Sequence, residues 1–183
     1  MGQRGLFGLV RSHHGVTPMI ADDVFVAEGA IIVGDVQIGE GSSVWYQSVV
    51  RGDVNYVRIG RNTNLQDGCL VHVHHETSPC VVGDDVTAAH KVVLHGCTVL
   101  DRCLIGIGAT VLDGAVVGEE SVVGAGSLVT PGTVVPPRSL ALGRPARVVR
   151  ELTEKDLAWI RESAASYARY AREAIDEAER EKG

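Results

Sequence analysis

The sequence predicts a mainly β fold, a parallel β-helix followed by a C-terminal α-helix, and three observations support this. Aliphatic residues recur every six positions over most of the chain, and glycine often follows them. From residue 151 onward the composition changes to alanine, glutamate and arginine. A six-residue period fits neither an amphipathic helix nor a hairpin sheet, but it is typical of short strands that turn at corners and stack coil on coil.

The repeat runs in blocks that keep the same period. Its positions are Ile20, Val26, Ile32, Ile38, Val44 and Val50, then Ile59, Leu65 and Val71, then Val82, Ala88 and Leu94, and finally Val99, Ile105, Val111, Val117, Val123, Val129 and Val135. Each short strand would bury one of these side chains in the centre of the coil. We therefore predict a β-helix domain over residues 18–150, preceded by an N-terminal segment over residues 1–17.

Glycine follows the repeat residue at many positions along the chain. These glycines are Gly34, Gly39, Gly60, Gly83, Gly106, Gly118 and Gly124. We expect them to lie at tight corners whose backbone angles other residues adopt poorly.

The C-terminal region, residues 151–183, predicts one α-helix that packs on the β-helix. Thr153 is a good N-cap, with Asp156 three residues later. Apolar residues then follow at helical spacing, and they are Leu157, Ile160, Ala164, Tyr167, Ala171, Ala174 and Ala178. This apolar stripe is the face that we expect to pack against the strands.

Composition excludes several partners. The net charge is −6 and the pI is near 5.6, and no basic stripe that could bind nucleic acid is visible. The apolar run at residues 6–10 is too short for a secretory core or a membrane span, so we predict a cytoplasmic protein. Cys69, Cys80, Cys97 and Cys103 form no C-x-x-C pair and are predicted to be reduced.

Two histidines occupy equivalent places in the repeat. His72 directly follows Val71, and His95 directly follows Leu94, which we place one coil further on. Neighbouring strands are roughly 4.8 Å apart, so two side chains stacked in this way can share one metal ion. A single histidine on a strand is more often only a polar residue, and the prediction depends on this equivalence.

A third histidine, His90, belongs to the rung of Ala88 on a different face of the coil. We do not expect it to reach the same ion within its own chain, but a neighbouring subunit could supply it. A threefold axis would then create three equivalent sites in a homotrimer. Three neutral imidazoles leave a fourth position for water, which is the pattern of a catalytic zinc site.

The motifs around these histidines resemble those of the γ-class carbonic anhydrases. The motifs are Arg51-Gly52-Asp53, Asn64-Leu65-Gln66-Asp67-Gly68, Val71-His72-Val73-His74 and His90-Lys91-Val92-Val93-Leu94-His95-Gly96. The resemblance covers essentially the whole chain. It implies the left-handed β-helix of hexapeptide-repeat proteins, a homotrimer, and Zn²⁺, Fe²⁺ or Co²⁺ held by His72 and His95 of one subunit and His90 of the next.

The same resemblance implies a zinc lyase, a carbonate dehydratase, which hydrates carbon dioxide reversibly to bicarbonate with a metal-bound hydroxide. Arg51, Asp53 and Asp67 match the family's interfacial charge network, although a purely structural salt bridge is an equal alternative. Gln66 and Asn64 match polar groups beside the metal-bound solvent.

The sequence departs from the archetypal family member at two places. Val54 follows the Arg-Gly-Asp motif where an acidic residue associated with proton transfer is found, and the long acidic loop is replaced by residues 74–79. That short segment is either a substitute relay or a turn. Tyr167 matches an aromatic position that approaches the site in relatives, although its helical spacing favours a packing role.

Three other functions stay open at this point. One is hydrolysis of thioesters or other small esters by the same metal site. A second is acyl transfer, since the hexapeptide fold also hosts acyltransferases, which need one histidine base rather than three at ligand positions. A third is a catalytically silent scaffold in which the metal only holds the trimer together.

Overall fold

The computed structural model describes residues 5–181 and has the predicted architecture, a parallel β-helix with one C-terminal α-helix. Residues 1–4 and 182–183, which belong to the predicted N-terminal segment and C-terminal helix, lie outside the described residues. The first ten strands are β1 (Leu9–Arg11), β2 (Met19–Ile20), β3 (Phe25–Val26), β4 (Ile31–Ile38), β5 (Ser43–Val44), β6 (Val49–Ile59), β7 (Asn64–Leu65), β8 (Leu70–His72), β9 (Cys80–Val82) and β10 (Thr87–Ala88). The chain continues as β11 (Val93–His95), β12 (Thr98–Val99), β13 (Leu104–Ile105), β14 (Thr110–Val111), β15 (Val116–Val117), β16 (Val122–Val123), β17 (Leu128–Val129), β18 (Val134–Val135), β19 (Ser139–Gly143), β20 (Ala146–Glu151) and α1 (Glu154–Arg180).

The strands form two sheets that enclose the core. The order of the eight-stranded sheet is β20-β19-β16-β13-β10-β7-β5-β3, and it makes one face of the coil. The twelve-stranded sheet covers the other two faces, because β4 and β6 are long enough to pass a corner and pair on both sides of it. β1 lies within the predicted N-terminal segment and pairs in parallel with β4, so that part of the chain extends the sheet.

The core follows the six-residue repeat. Every repeat position is buried, and equivalent positions of successive coils lie opposite one another. Leu65 faces Ala88, and Val71 faces Leu94, as the spacing predicts. Because burial of one large aliphatic side chain contributes about 1.5–3 kcal/mol, this stack is the main source of stability and sets the register of every coil.

The backbone angles predicted for the glycines after repeat residues are wrong at most positions. Gly34 has a φ of 79°, but Gly39, Gly60 and Gly106 have no positive φ. A Cβ added at Gly106 would lie 2.5 Å from the backbone nitrogen of Ala125 on the next coil. These glycines are therefore required by the close approach of adjacent coils rather than by strained corners.

The helix begins as predicted. The Thr153 side chain accepts a hydrogen bond from the backbone of Asp156, whose carboxylate accepts one from the backbone of Thr153. The helix packs across β3, β5, β7 and β10 of the eight-stranded sheet. Its buried residues are Leu157, Ile160, Ala164, Ala171 and Ile175. Within the described part of the chain, no helix combines the length and apolar character that a membrane crossing needs.

The four cysteines are free and buried, as predicted. Burial raises the pKa of Cys69 and of Cys103 to about 12. Because the thiolate is the reactive form, these two thiols are packing residues rather than nucleophiles at neutral pH.

Candidate functional site

The predicted site residues fall into two groups on different faces of the β-helix. The first group, called the histidine pair, is His72 and His95 with Asp53, and the structure adds Asp113, which was not predicted. The second group, called the corner cluster, is Asn64, Gln66, Asp67 and His90. Tyr167 of α1 lies near the corner cluster.

The histidine pair is built by strand register. β8 and β11 run in parallel with His72 directly opposite His95, and His72 Nδ1 lies 3.2 Å from His95 Nε2. The two residues are 23 positions apart because residues 73–79 make an extra turn, closed by a bridge between His74 and Ser78. The excursion that the sequence requires between the two coils is therefore present and leaves the stacking intact.

Carboxylates hold the two outer nitrogens of the pair. His72 Nε2 lies 2.9 Å from Asp53, and His95 Nδ1 lies 2.6 Å from Asp113. Asp53 also accepts a hydrogen bond from Arg51, so two of the predicted residues are in contact within one chain. Sequence reasoning missed Asp113, although advancing by the usual coil length of 18 residues from His95 would have found it.

The charge of Asp53 is stabilised despite its partial burial. Desolvation acts to raise the pKa of Asp53, but hydrogen bonds with His72 and Arg51 outweigh it, and the net pKa is lowered. The carboxylate is therefore ionised at neutral pH and orients the imidazole of His72.

The corner cluster is more open. His90 lies in the turn after β10 and not on a strand rung as the repeat predicts, because the strand ends at Ala88. Its Nδ1 lies 2.7 Å from Asp67, and the two side chains are 41% and 46% exposed. No partner for its Nε2 is found within residues 5–181. The pairing of Asp67 is thus with His90 rather than with Arg51 of the same chain.

Asn64 and Gln66 form a buried amide chain beside His90. Gln66 Nε2 donates to Asn64 Oδ1 at 3.2 Å, and Asn64 Nδ2 donates to Thr87 at 3.0 Å. The Oε1 atom of Gln66 accepts no hydrogen bond from residues 5–181. Among these residues, every side-chain nitrogen or oxygen that is fully buried has a hydrogen-bond partner, so the unpaired Oε1 is not fully buried. This oxygen therefore reaches the surface, although Gln66 is only 5% exposed, and the hydrogen bond of its amide nitrogen fixes its orientation.

Tyr167 packs above this region. Its ring centroid lies 5.5 Å from that of Trp45 and 5.6 Å from that of Tyr170, both edge-on. Burial, followed by the negative charge of Asp67, raises the pKa of Tyr167. The hydroxyl therefore stays protonated at neutral pH, and Tyr167 lies near enough to the corner cluster for the charge of Asp67 to act on it.

The histidine pair fits a divalent ion, whereas one chain alone does not complete a site. Two nitrogen ligands at about 2.0–2.1 Å from a tetrahedral ion lie about 3.3–3.4 Å apart, close to the spacing seen here. Carboxylates on the outer nitrogens are the usual way in which metal-binding imidazoles are oriented. Among residues 5–181, no three His, Cys, Asp or Glu side chains converge on one point. A third ligand would have to come from another chain.

Comparison with known proteins identifies relatives over most of the chain. No family model matches it. A carbonic anhydrase of Geobacillus kaustophilus is 49% identical over 149 residues, 81% of each chain. The mitochondrial γ-carbonic anhydrase 1 of Arabidopsis thaliana is 47% identical over 159 residues, 84% of this chain, and the chain spans 58% of the length of that relative. A crystal structure from Bacillus cereus, provisionally named an acetyltransferase, superimposes with a TM-score of 0.91 at 40% identity over 93% of this chain and 99% of that one.

Proposed function

The chain belongs to the γ-carbonic anhydrase family, and we propose that it catalyses the reversible hydration of carbon dioxide at sites shared between subunits of a homotrimer. The observation that supports this most is the 3.2 Å spacing of His72 Nδ1 and His95 Nε2, with Asp53 and Asp113 on the outer nitrogens. Such a spacing suits a shared ion, and it has no evident role in a protein that uses a single histidine.

The ligands of the proposed metal site are His72 and His95 of one subunit and His90 of the next. The exposure of His90 and its unpartnered Nε2 support a role toward a neighbouring chain. Zinc is the first expectation, with Fe²⁺ and Co²⁺ as alternatives, because three imidazoles suit all of them. A divalent ion bound there would lower the pKa of its water toward about 7 and so supply hydroxide at neutral pH.

The remaining residues would position the reactants. The open Oε1 of Gln66 can accept a hydrogen bond from the attacking water, and Asn64 holds the amide of Gln66 in the required orientation. Asp53 and Asp113 keep the imidazoles in one tautomer, and Arg51 holds Asp53. The chain therefore offers a rigid site in which the water, rather than a side chain, attacks the small apolar substrate.

Acyl transfer is the second candidate, supported by the similarity to the Bacillus cereus structure. An acyltransferase needs one histidine base in a cleft between subunits, and His90 with Asp67 could serve as such a base. That function leaves the stacked His72 and His95 without a role, so hydration accounts for more of the molecule. Thioester hydrolysis would use the same three histidines as hydration. Like acyl transfer, it is tested with acetyl-CoA.

One experiment separates these functions. Metal content and carbon dioxide hydration are measured on purified wild type, on His90→Ala and on the control His75→Ala, whose side chain is 66% exposed. We expect about one metal ion per subunit and hydration activity in the wild type and the control, and loss of both in His90→Ala. Metal that survives His90→Ala would contradict the shared site. Metal without hydration, together with turnover of acetyl-CoA, would favour the acyl chemistry.

A further inference from the structure

Hydration of carbon dioxide by water forms bicarbonate and releases one proton in each turnover. That proton must reach a buffer base in solution before the next water can react, so an enzyme that works fast needs a route for it. This requirement rests on the proposed function. Val54 is exposed and cannot carry a proton, which leaves the route to other residues.

A cavity of about 240 Å³, lined mostly by polar residues, adjoins the histidine pair. It meets the pair at Asp53, which lines the cavity and whose carboxylate contacts His72. The lining residues are His13, His14, Asp35, Asp53, Asn55 and Tyr56, with Val16 and Gly52. A cavity of this volume has room for several water molecules, and its polar side chains offer them hydrogen-bond partners along which a proton can pass.

The two histidines of this cavity are held on a tight hairpin. The backbones of His13 and Val16 exchange two hydrogen bonds of 3.0 Å, and the central residues His14 and Gly15 have φ angles of 46° and 80°. The two rings pack edge-on with centroids 4.2 Å apart. A turn with two positive φ angles matches the twist of paired strands and makes a tight hairpin. The hairpin holds both imidazoles beside the cavity.

The other charged groups that face this cavity are already paired. Asp35 forms an ion pair with Arg58 at 2.8 Å, and Asp53 is held by Arg51 and His72. The Arg58 guanidinium also lies 4.6 Å above the ring of Tyr56. In contrast, neither His13 nor His14 has an ion-pair partner within residues 5–181. Histidine is also the side chain whose charge changes most readily near neutral pH.

We propose that His13 and His14 form the proton relay of this enzyme. An imidazole accepts the proton from water in the cavity and then donates it to a buffer base at the surface. The relay returns to its starting state, and the buffer base is the co-reactant that carries the proton away.

The histidines of the short segment at residues 74–79 are a poorer relay. His74 Nδ1 lies 3.0 Å from the Thr77 hydroxyl and 3.0 Å from the His75 carbonyl, so this ring nitrogen is used to hold the turn. His75 projects into solvent near Glu76 and does not line the cavity. His75 is therefore a matched control for an exposed histidine on a neighbouring turn.

The test compares the double variant His13→Gln, His14→Asn with the control His75→Gln. Asparagine tolerates the positive φ of residue 14, so the hairpin should be kept. At low buffer concentration we expect kcat of the double variant to fall about tenfold or more. We expect kcat/KM, the ¹⁸O exchange between carbon dioxide and bicarbonate, and metal content to stay near the wild-type values, because these depend on the hydration step and the metal site.

Imidazole added as a buffer should restore most of the lost kcat, because it replaces the relay. A double variant with unchanged kcat, or a control that loses as much, would overturn the relay while leaving carbon dioxide hydration standing. Equal falls in kcat and kcat/KM, without rescue by imidazole, would assign the hairpin a structural role instead. A wild-type protein that hydrates no carbon dioxide would remove the proposed function and the relay together.

Discussion

The histidine pair and the corner cluster lie on different faces of one β-helix, and they differ in how far one chain completes their geometry. In the pair, both ring nitrogens of His72 and of His95 have partners. In the corner cluster, the side chain of His90 is 41% exposed, and within residues 5–181 its ring is paired with Asp67 alone. The pair is part of the hydrogen-bonded strand ladder, whereas His90 follows a strand end. A ladder position is set by the fold of one chain, and a turn position leaves room for a second chain to take part.

The largest effect is expected from mixing two inactive variants. His95→Ala removes half of the pair, and His90→Ala removes the ligand of the corner cluster, so each homotrimer should lose hydration activity. If each site takes residues from two chains, trimers reassembled from equal amounts of both variants regain intact sites at about a quarter of the interfaces. Activity is measured after dissociation and reassembly.

Recovery in the mixture depends on the two clusters meeting across an interface. His95→Ala mixed with the same variant is the control, and it should remain inactive. A mixture as inactive as its parents, although mixed trimers form, would show that the two clusters do not serve one site.

A smaller effect is expected from Asp113→Asn. The substitution removes the charged acceptor that lies 2.6 Å from His95 Nδ1 but keeps the shape of the side chain. Loss of such a partner typically lowers metal affinity about 10–100-fold. Affinity is measured by competition with a chelator, and Glu119→Gln, which disturbs an ion pair with Arg102 outside the site, is the control. Equal affinities in the two variants would contradict the role of Asp113.

Tyr167 tests whether the corner cluster depends on the helix for packing or for chemistry. Tyr167→Ala removes a ring that packs on Trp45 and Tyr170, and we expect a loss of about 1–3 kcal/mol in the free energy of unfolding. Tyr167→Phe keeps the ring and should retain hydration activity within about twofold. Urea denaturation and stopped-flow hydration measure the two quantities. A large loss of kcat in the phenylalanine variant would assign the hydroxyl a catalytic role.

The smallest effect concerns the start of the helix that covers the corner cluster. Hydrogen bonds with Arg150, followed by those with Thr153, lower the pKa of Asp156 in the folded protein. A lowered folded pKa means that ionised Asp156 stabilises the fold above its ordinary pKa of 3.8, and that this contribution is lost as the pH falls below it. Asp156→Asn should therefore melt slightly below the wild type at pH 7, and the difference should shrink in acid. A difference that does not change with pH would exclude this ionic contribution.

The fold could be predicted almost completely from the six-residue repeat. The stacking of His72 on His95 follows from that repeat as well, because the strand register carries the side chains with it. The predicted strand position of His90 is wrong, since the repeat marks the buried residue of each rung but not where the strand ends. The positive φ angles predicted for the glycines failed for a similar reason. Glycine is needed there because the backbone of the next coil lies too close for a Cβ, and that contact joins residues far apart in the sequence.

Local patterns by themselves determined the coil architecture, the capped helix and the stacked histidines of this protein. The tertiary structure decided that Asp53 and Asp113 hold the outer nitrogens, that Asp67 pairs with His90, and that the His13–His14 hairpin lies beside the histidine pair. Most strands bury one residue of the six-residue repeat, so this pattern can be read directly from the sequence. Contacts between corners of successive coils depend on turn conformation and on the length of each excursion, and these are settled only when the coils stack.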